Sequence, residues 1–157
     1  MATETGHHPN RFYADQAGDL HLNGANLWDQ AEKALAQRVT FSPAAGSTNV
    51  CLVTIQVKDG AGNNLARPFE LLVYLSDDSG GNGLTATTAS GAVAAGASGT
   101  DLQAKVSKKA LDVLTDNTGK YILSITDTSK TGFYVAATTP GTGNVQVSSQ
   151  LQSANYG

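Results

Sequence analysis

The chain has 157 residues, a formal net charge of −3 and only 15% charged residues. That length suits one domain, which can bury roughly two thirds of its unfolded surface without staples. No Lys/Arg cluster marks a phosphate-binding face and no apolar run approaches a membrane span, so neither nucleic acid nor membrane is an expected partner.

Residues 1–19 are polar, carry Gly6, Pro9 and Gly18, and show no period. They read as an extended arm. The opening MATETGHHPNRFYADQ has no basic end followed by an apolar stretch, so it is not a Sec-type signal and synthesis in the cytoplasm is expected. In the following DLHLNGANLWDQ, Leu20, Leu22, Leu27 and Trp28 stand out as apolar anchors. ANLWDQAEKALAQRV then predicts a short helix, with Asn26 as N-cap and Asp29 in the first turn. Leu27, Ala31, Ala34 and Leu35 fall at spacings of three and four, which makes one apolar stripe. A helix this short is marginal alone. It packs on the following domain, meets copies of itself, or meets a partner. Trp28, the sole tryptophan, either packs within its own domain or joins Leu27 as an interface anchor. The division falls near residue 38. Residues 1–38 are the arm and helix, with Phe12, Tyr13, Leu20, Leu22, Leu27, Trp28 and Leu35 as candidate partner contacts. Residues 39–157 are the second unit.

From Val39 onward the pattern is β. NVCLVTIQVKD alternates, with Cys51, Val53, Ile55 and Val57 on one face. PFELLVYLSD places Phe69, Leu71, Val73 and Leu75 on one face. Its other face, Glu70, Leu72 and Tyr74, is half apolar, so this strand is expected to be covered on both sides. KYILSITD, GFYVAATT and NVQVSSQL add further alternating strands, and residues 39–41 and 110–115 add shorter ones. Asp59-Gly60, Gly119, and Pro140 with Gly141 and Gly143 supply the turn chemistry between them. Short strands at regular spacing with Gly-rich turns predict an all-β sandwich. Residues 78–101, almost all Gly, Ala, Ser and Thr, are expected to form a surface excursion or weak hairpin without core residues. Cys51 is the only cysteine and reads as a small core residue.

No catalytic constellation is visible. His7, His8 and His21 are the only histidines, and all lie in or just after the arm, where no partner group is fixed beside them. Asp77 and Asp78 are adjacent and read as a turn rather than a facing carboxylate pair. Asp59, Asn63 and Asn64 could offer oxygens to calcium, but their spacing is not that of an EF-hand loop. GGNGLT has glycines without the Lys-Ser/Thr of a phosphate loop. No enzyme activity, metal or cofactor is expected.

The pairing of VTIQVKDGAGNNLA with VLTDNTGKYILSITDTSKTGFYVAAT resembles bacterial immunoglobulin-like domains of the invasin and intimin kind over about residues 39–151. In that family a first strand ends in an Asp/Gly turn, and a later D-x-x-G-K turn feeds an alternating strand. Here those parts are Asp59–Asn63 and Asp116–Lys120. The long insertion and the KTGFYVAAT strand look similar to small Ig-like proteins of tailed bacteriophages. The resemblance implies an Ig-like β-sandwich with no catalytic residues. It also implies a capsid decoration or head-fibre subunit made in the host cytoplasm and carried on the virion surface. The expected partners are the major capsid protein and copies of the chain, a trimer being favoured over a dimer or monomer. The alternatives are a module binding a host-surface glycan, with Tyr13, Trp28, Tyr134 and Tyr156 as candidate stacking residues, and a bacterial adhesin fragment.

Overall fold

The computed structural model describes residues 12–17, 20–22, 25–26, 35–36, 38–139 and 142–157. Its strands in chain order are β1 (Phe12–Ala14), β2 (Leu20–Leu22), β3 (Ala25–Asn26), β4 (Arg38–Ala45), β5 (Val50–Lys58), β6 (Glu70–Ser76), β7 (Val93–Ala95), β8 (Thr100–Val106), β9 (Ala110–Leu114), β10 (Lys120–Thr126), β11 (Tyr134–Thr138) and β12 (Val145–Val147). A 3-10 turn, Ser153–Asn155, follows. The main body is a β-sandwich. One sheet has the order β4-β5-β10-β7 and the other β12-β11-β6-β9-β8. Every named pairing is antiparallel.

Strict alternation builds the core. Cys51, Val53, Ile55 and Val57 of β5 face inward with Tyr121, Leu123 and Ile125 of β10. Leu71, Val73 and Leu75 of β6, Leu111 and Val113 of β9, and Val135 and Ala137 of β11 close on them from the second sheet. Burying each of the larger side chains contributes about 1.5–3 kcal/mol. β6 is also covered on its other face, as its sequence suggests. Tyr74 and Leu72 pack there with Ala110, Ala136 and Val147.

The sandwich is tied along both flanks. The Val39 N–H donates to Gln146 Oε1 at 2.7 Å, joining β4 to β12. The Ala95 N–H donates to Asp101 Oδ2 at 2.9 Å, joining β7 to β8. The C-terminal stretch packs as well. Leu151 and Tyr156 enter the core, the Tyr156 hydroxyl donates to the Thr131 carbonyl at 2.8 Å, and the Gly157 N–H donates to the Val50 carbonyl.

Three expectations change. Residues 78–101 are not merely a surface excursion: Thr85, Ala89 and Val93 are buried, and Val93–Ala95 is an edge strand on β10. Small residues make this packing close. A Cβ on Gly91 would meet Thr126, and one on Gly96 would meet Ile122 Cγ2 at 2.9 Å. The aperiodic arm ends sooner than expected, because β1, β2 and β3 form a three-stranded meander. At the ends of the predicted helix, Ala25–Asn26 is strand, Leu35 sits at a bend and Arg38 already belongs to β4. Its middle, residues 27–34, lies outside the described residues.

Candidate interaction surfaces

The Asp59–Asn63 loop is a turn. Asp59 is buried, and its Oδ1 accepts the Asn63 N–H at 2.8 Å while Oδ2 accepts from Asn63 Nδ2 at 3.0 Å. The Gly62 N–H returns to the Asp59 carbonyl, and Gly62 takes a φ of +90°, the left-handed region that glycine tolerates. The Asn63 side chain, followed by backbone N–H groups, holds the Asp59 carboxyl below its usual range despite burial. Both carboxylate oxygens are occupied within the loop.

The same use recurs. Asp77 accepts from the Thr85 hydroxyl at 2.6 Å and the Ala86 N–H at 2.8 Å. Asp78 accepts from the Gly80 N–H and from Asn82 Nδ2, both at 2.7 Å. Asp116 accepts from the Thr118 N–H and hydroxyl, the Lys120 N–H and the Ser98 hydroxyl. Asp127 accepts from the N–H groups of Ser90, Ser129 and Thr131. Asp112 pairs with Lys105 at 2.6 Å across β9 and β8. Lys109 donates to the Thr85 and Ala86 carbonyls and holds the long insertion down. These carboxylates fix loops. Among the described residues no three His, Cys, Asp or Glu side chains converge as a metal site. Cys51 is fully buried, and desolvation pushes its thiol up to about 11.

The candidate partner contacts fall into the N-terminal meander and its flank. The register pairs Phe12 with Leu22, Tyr13 with His21, and Ala14 with Leu20, and then His21 with Asn26 and Leu22 with Ala25. Directly opposed residues share a face. Ala14 and Leu20 therefore share one face, and Tyr13 and His21 the other. Leu20 and Tyr13 are each 40% exposed, and Leu35 is 52% exposed, beside Ala36 in the sandwich core. Leu27 and Trp28 lie outside the described residues, as do His7 and His8.

The sequence assigns no role to His21. Its ring stacks on Tyr13 with centroids 5.1 Å apart, and Nε2 lies 3.1 Å from Asp15 Oδ2. Nδ1 is buried without a hydrogen-bond partner. The spacing of Asp15, His21 and Tyr13 carries no motif, and only the β1–β2 pairing brings them together.

A second surface lies on the outer face of the five-stranded sheet. The register lines up Val147, Ala136, Tyr74, Ala110 and Val106, one from each strand. Residues 77–83 lean on one end of this row, where the Tyr74 hydroxyl donates to the Gly81 carbonyl at 2.7 Å. A Cβ on Gly81 would meet Val147 Cγ2 at 2.9 Å. Of the candidate stacking aromatics, Tyr156 is buried and so unavailable to a glycan, Tyr134 is half-buried beside this row, and Tyr13 is exposed.

No protein-family model matches the chain, and no curated protein or solved structure matches it.

Proposed function

We propose that the chain is a structural subunit of a tailed-bacteriophage virion, a capsid decoration or head-fibre protein. Residues 1–38 dock on the major capsid protein and hold copies together, and the sandwich projects outward as an Ig-like domain. The Ig-like reading is supported by strand order. β4-β5-β10-β7 corresponds to the ABED sheet of that architecture and β12-β11-β6 to its GFC sheet, with the β8–β9 hairpin as an addition. The virion reading draws on the resemblance of the turn and strand motifs to phage Ig-like proteins.

The observation that carries the docking half is a contrast between two parts of one chain. The sandwich closes its own core and ties its flanks, whereas the meander exposes Tyr13 and Leu20 on strands of three residues or fewer. Strands this short add little stability unless the sheet buries an apolar face. The test is copy number per particle, quantified against the major capsid protein in purified virions. A number that scales with the lattice supports decoration. A handful of copies moves the protein to a vertex or tail fibre with a receptor-binding role. Absence from particles overturns the proposal.

A further inference from the structure

We propose that Arg38, Lys58 and Lys120, at one end of the outer face of the four-stranded sheet, form a binding site for the carboxylates of an acidic protein surface. The inference rests on the docking reading above and deepens it, because it gives the chemistry of the partner surface that lies against the sandwich.

The site exists only in the fold. Its cations come from positions 38, 58 and 120, so no basic run shows in the sequence. Alternation turns all three outward, since their neighbours Val39, Val57 and Tyr121 are buried in the core. The register then brings them together. Arg38 lies directly opposite Lys58, and Lys120 lies opposite Gln56, the next outward position of β5. With strands about 4.8 Å apart and alternate residues about 6.6 Å apart, the three Cα positions fall within about 12 Å of one another. The screening length is about 10 Å at 0.1 M salt, so an anion there meets their summed field.

Nothing on that face neutralises them. The other outward positions of β4, β5 and β10 are Thr, Ser, Gln, Ala, Val, Leu and Ile, with no carboxylate. The acidic residues closest in the chain to Lys58 and Lys120 are Asp59 and Asp116, and both oxygens of each are engaged by loop donors. Among the described residues none of the three cations forms an ion pair. The Lys58 ammonium is held in place by neutral acceptors, the Gly62 carbonyl at 3.1 Å and Asn64 Oδ1 at 2.8 Å. Its charge is retained, and one of its three donors is left over. Like charges directly opposite one another destabilise a strand pair. Arg38 against Lys58 breaks that rule without internal compensation, and such places are where function is expected.

The number of charges selects the partner. A nucleic acid is held through many phosphates, about six to ten in strongly salt-dependent complexes, and the chain as a whole carries −3. Arg38, Lys58 and Lys120 match two or three carboxylates instead, and the Arg38 guanidinium suits a bidentate carboxylate. The rest of the face is uncharged, with Ser42, Thr54 and Ile122 in one row and Ala44, Leu52 and Ser124 in the next. That mixture fits the polar and small apolar groups of a protein surface. Arg38 is also the first residue of β4, where the docking segment joins the sandwich, so the two contacts are continuous.

The test is a titration of the full ¹⁵N-labelled chain with an oligoglutamate peptide, read by amide shifts at low salt and repeated for Arg38→Gln and Lys120→Gln. An oligothymidylate of equal charge is titrated in parallel, and each variant is melted. The largest shifts are expected at residues 38–40, 56–58 and 120–122. Each substitution is expected to weaken binding about 1.5- to 5-fold, and about 1 M salt to abolish it. The Arg38→Gln melting midpoint should equal or exceed the wild type, because a like-charge pair is relieved; a lower one would make the cation structural and overturn the proposal. Absence of peptide shifts, or shifts as large at Lys105, Lys108, Lys109 and Lys130, would overturn the site. Tighter binding of the oligothymidylate at the same amides would overturn the protein partner. Peptide binding at this site by a chain absent from virions would keep the inference and end the virion reading. Lattice copy number without peptide binding would do the reverse.

Discussion

The Tyr121 hydroxyl donates to Asp101 Oδ1 at 2.5 Å, and the same carboxylate takes the Ala95 N–H on Oδ2. One side chain on β8 thereby fastens the centre of the opposite sheet and its β7 edge. Tyr121 is fully buried, so its phenol has no water to fall back on.

Tyr121→Phe therefore removes a charge-assisted bond and leaves a carboxylate oxygen without that donor. The expected loss is about 1.5–3 kcal/mol, which lowers the melting midpoint by about 3–12 °C for a domain of this size. Burial first, and then Asp101, raise the Tyr121 phenol above its usual range. The folded chain keeps this proton where the unfolded chain sheds it. The contribution is full below about pH 10 and is lost above it. Thermal melts of wild type and variant at neutral and alkaline pH check this. A variant that melts with the wild type at neutral pH would sink the idea.

Two glycines separate backbone strain from crowding. Gly119 has φ +72°, and a Cβ there would run into the Leu65 carbonyl oxygen. Gly62 has φ +90° with nothing within 4 Å of its Cβ position. Gly62→Ala is expected to cost only the left-handed backbone term, about 1–2 kcal/mol. Gly119→Ala adds a main-chain clash and should cost clearly more. Chemical denaturation of both variants measures the difference, and equal losses would show that the Leu65 segment moves aside freely.

Tyr156 tests the tail. Its ring lies in the core and its hydroxyl reaches the Thr131 carbonyl. Tyr156→Ala should cost about 3–5 kcal/mol, as other large aromatic truncations in cores do. Tyr156→Phe should cost about 1 kcal/mol, the value of one hydrogen bond. Denaturant midpoints give both numbers. A near-neutral alanine variant would mean that the tail is not part of the folding unit.

The strands that the sequence made legible are those with large alternating side chains. Cys51 to Val57, Leu71 to Leu75, Tyr121 to Ile125 and Val135 with Ala137 face the core as their period predicts. Val93–Ala95 escaped because Val-Ala-Ala has no amphipathic signal, and its place depends on glycines that let it lie against β10. Thr100–Val106 is mostly exposed and bulged, so its period breaks where the register shifts. The meander was hidden for a different reason. Its strands are two or three residues long, below the length at which alternation can be counted. Tyr13 and Leu20 could be named as contacts from their residue types, but their placement on opposite faces of the sheet and the Tyr13–His21 stack arise only from pairing.

Acid should undo the loops before it touches the core. Asp59, Asp77, Asp78, Asp116 and Asp127 all have carboxyls held below their usual range. For Asp116 the main cause is the Thr118 hydroxyl, opposed by burial and assisted by the Lys120 N–H and the Ser98 hydroxyl. For Asp127 burial is the largest influence and raises it, but the Thr131, Ser90 and Ser129 donors together outweigh it. A folded-state pKa below the unfolded value means that the unfolded chain binds more protons as pH falls. Each group thus stabilises the fold above its unfolded pKa of about 3.9, and the contribution is lost as pH drops through the folded value. Stability should be level in these groups from neutral pH down to about pH 5 and fall steeply below about pH 4. Asp116→Asn should be less stable than wild type at pH 7 and lose less on acidification, so the two curves converge at low pH. Denaturation followed by circular dichroism across that range measures it, and parallel curves would show that Asp116 carries no linkage.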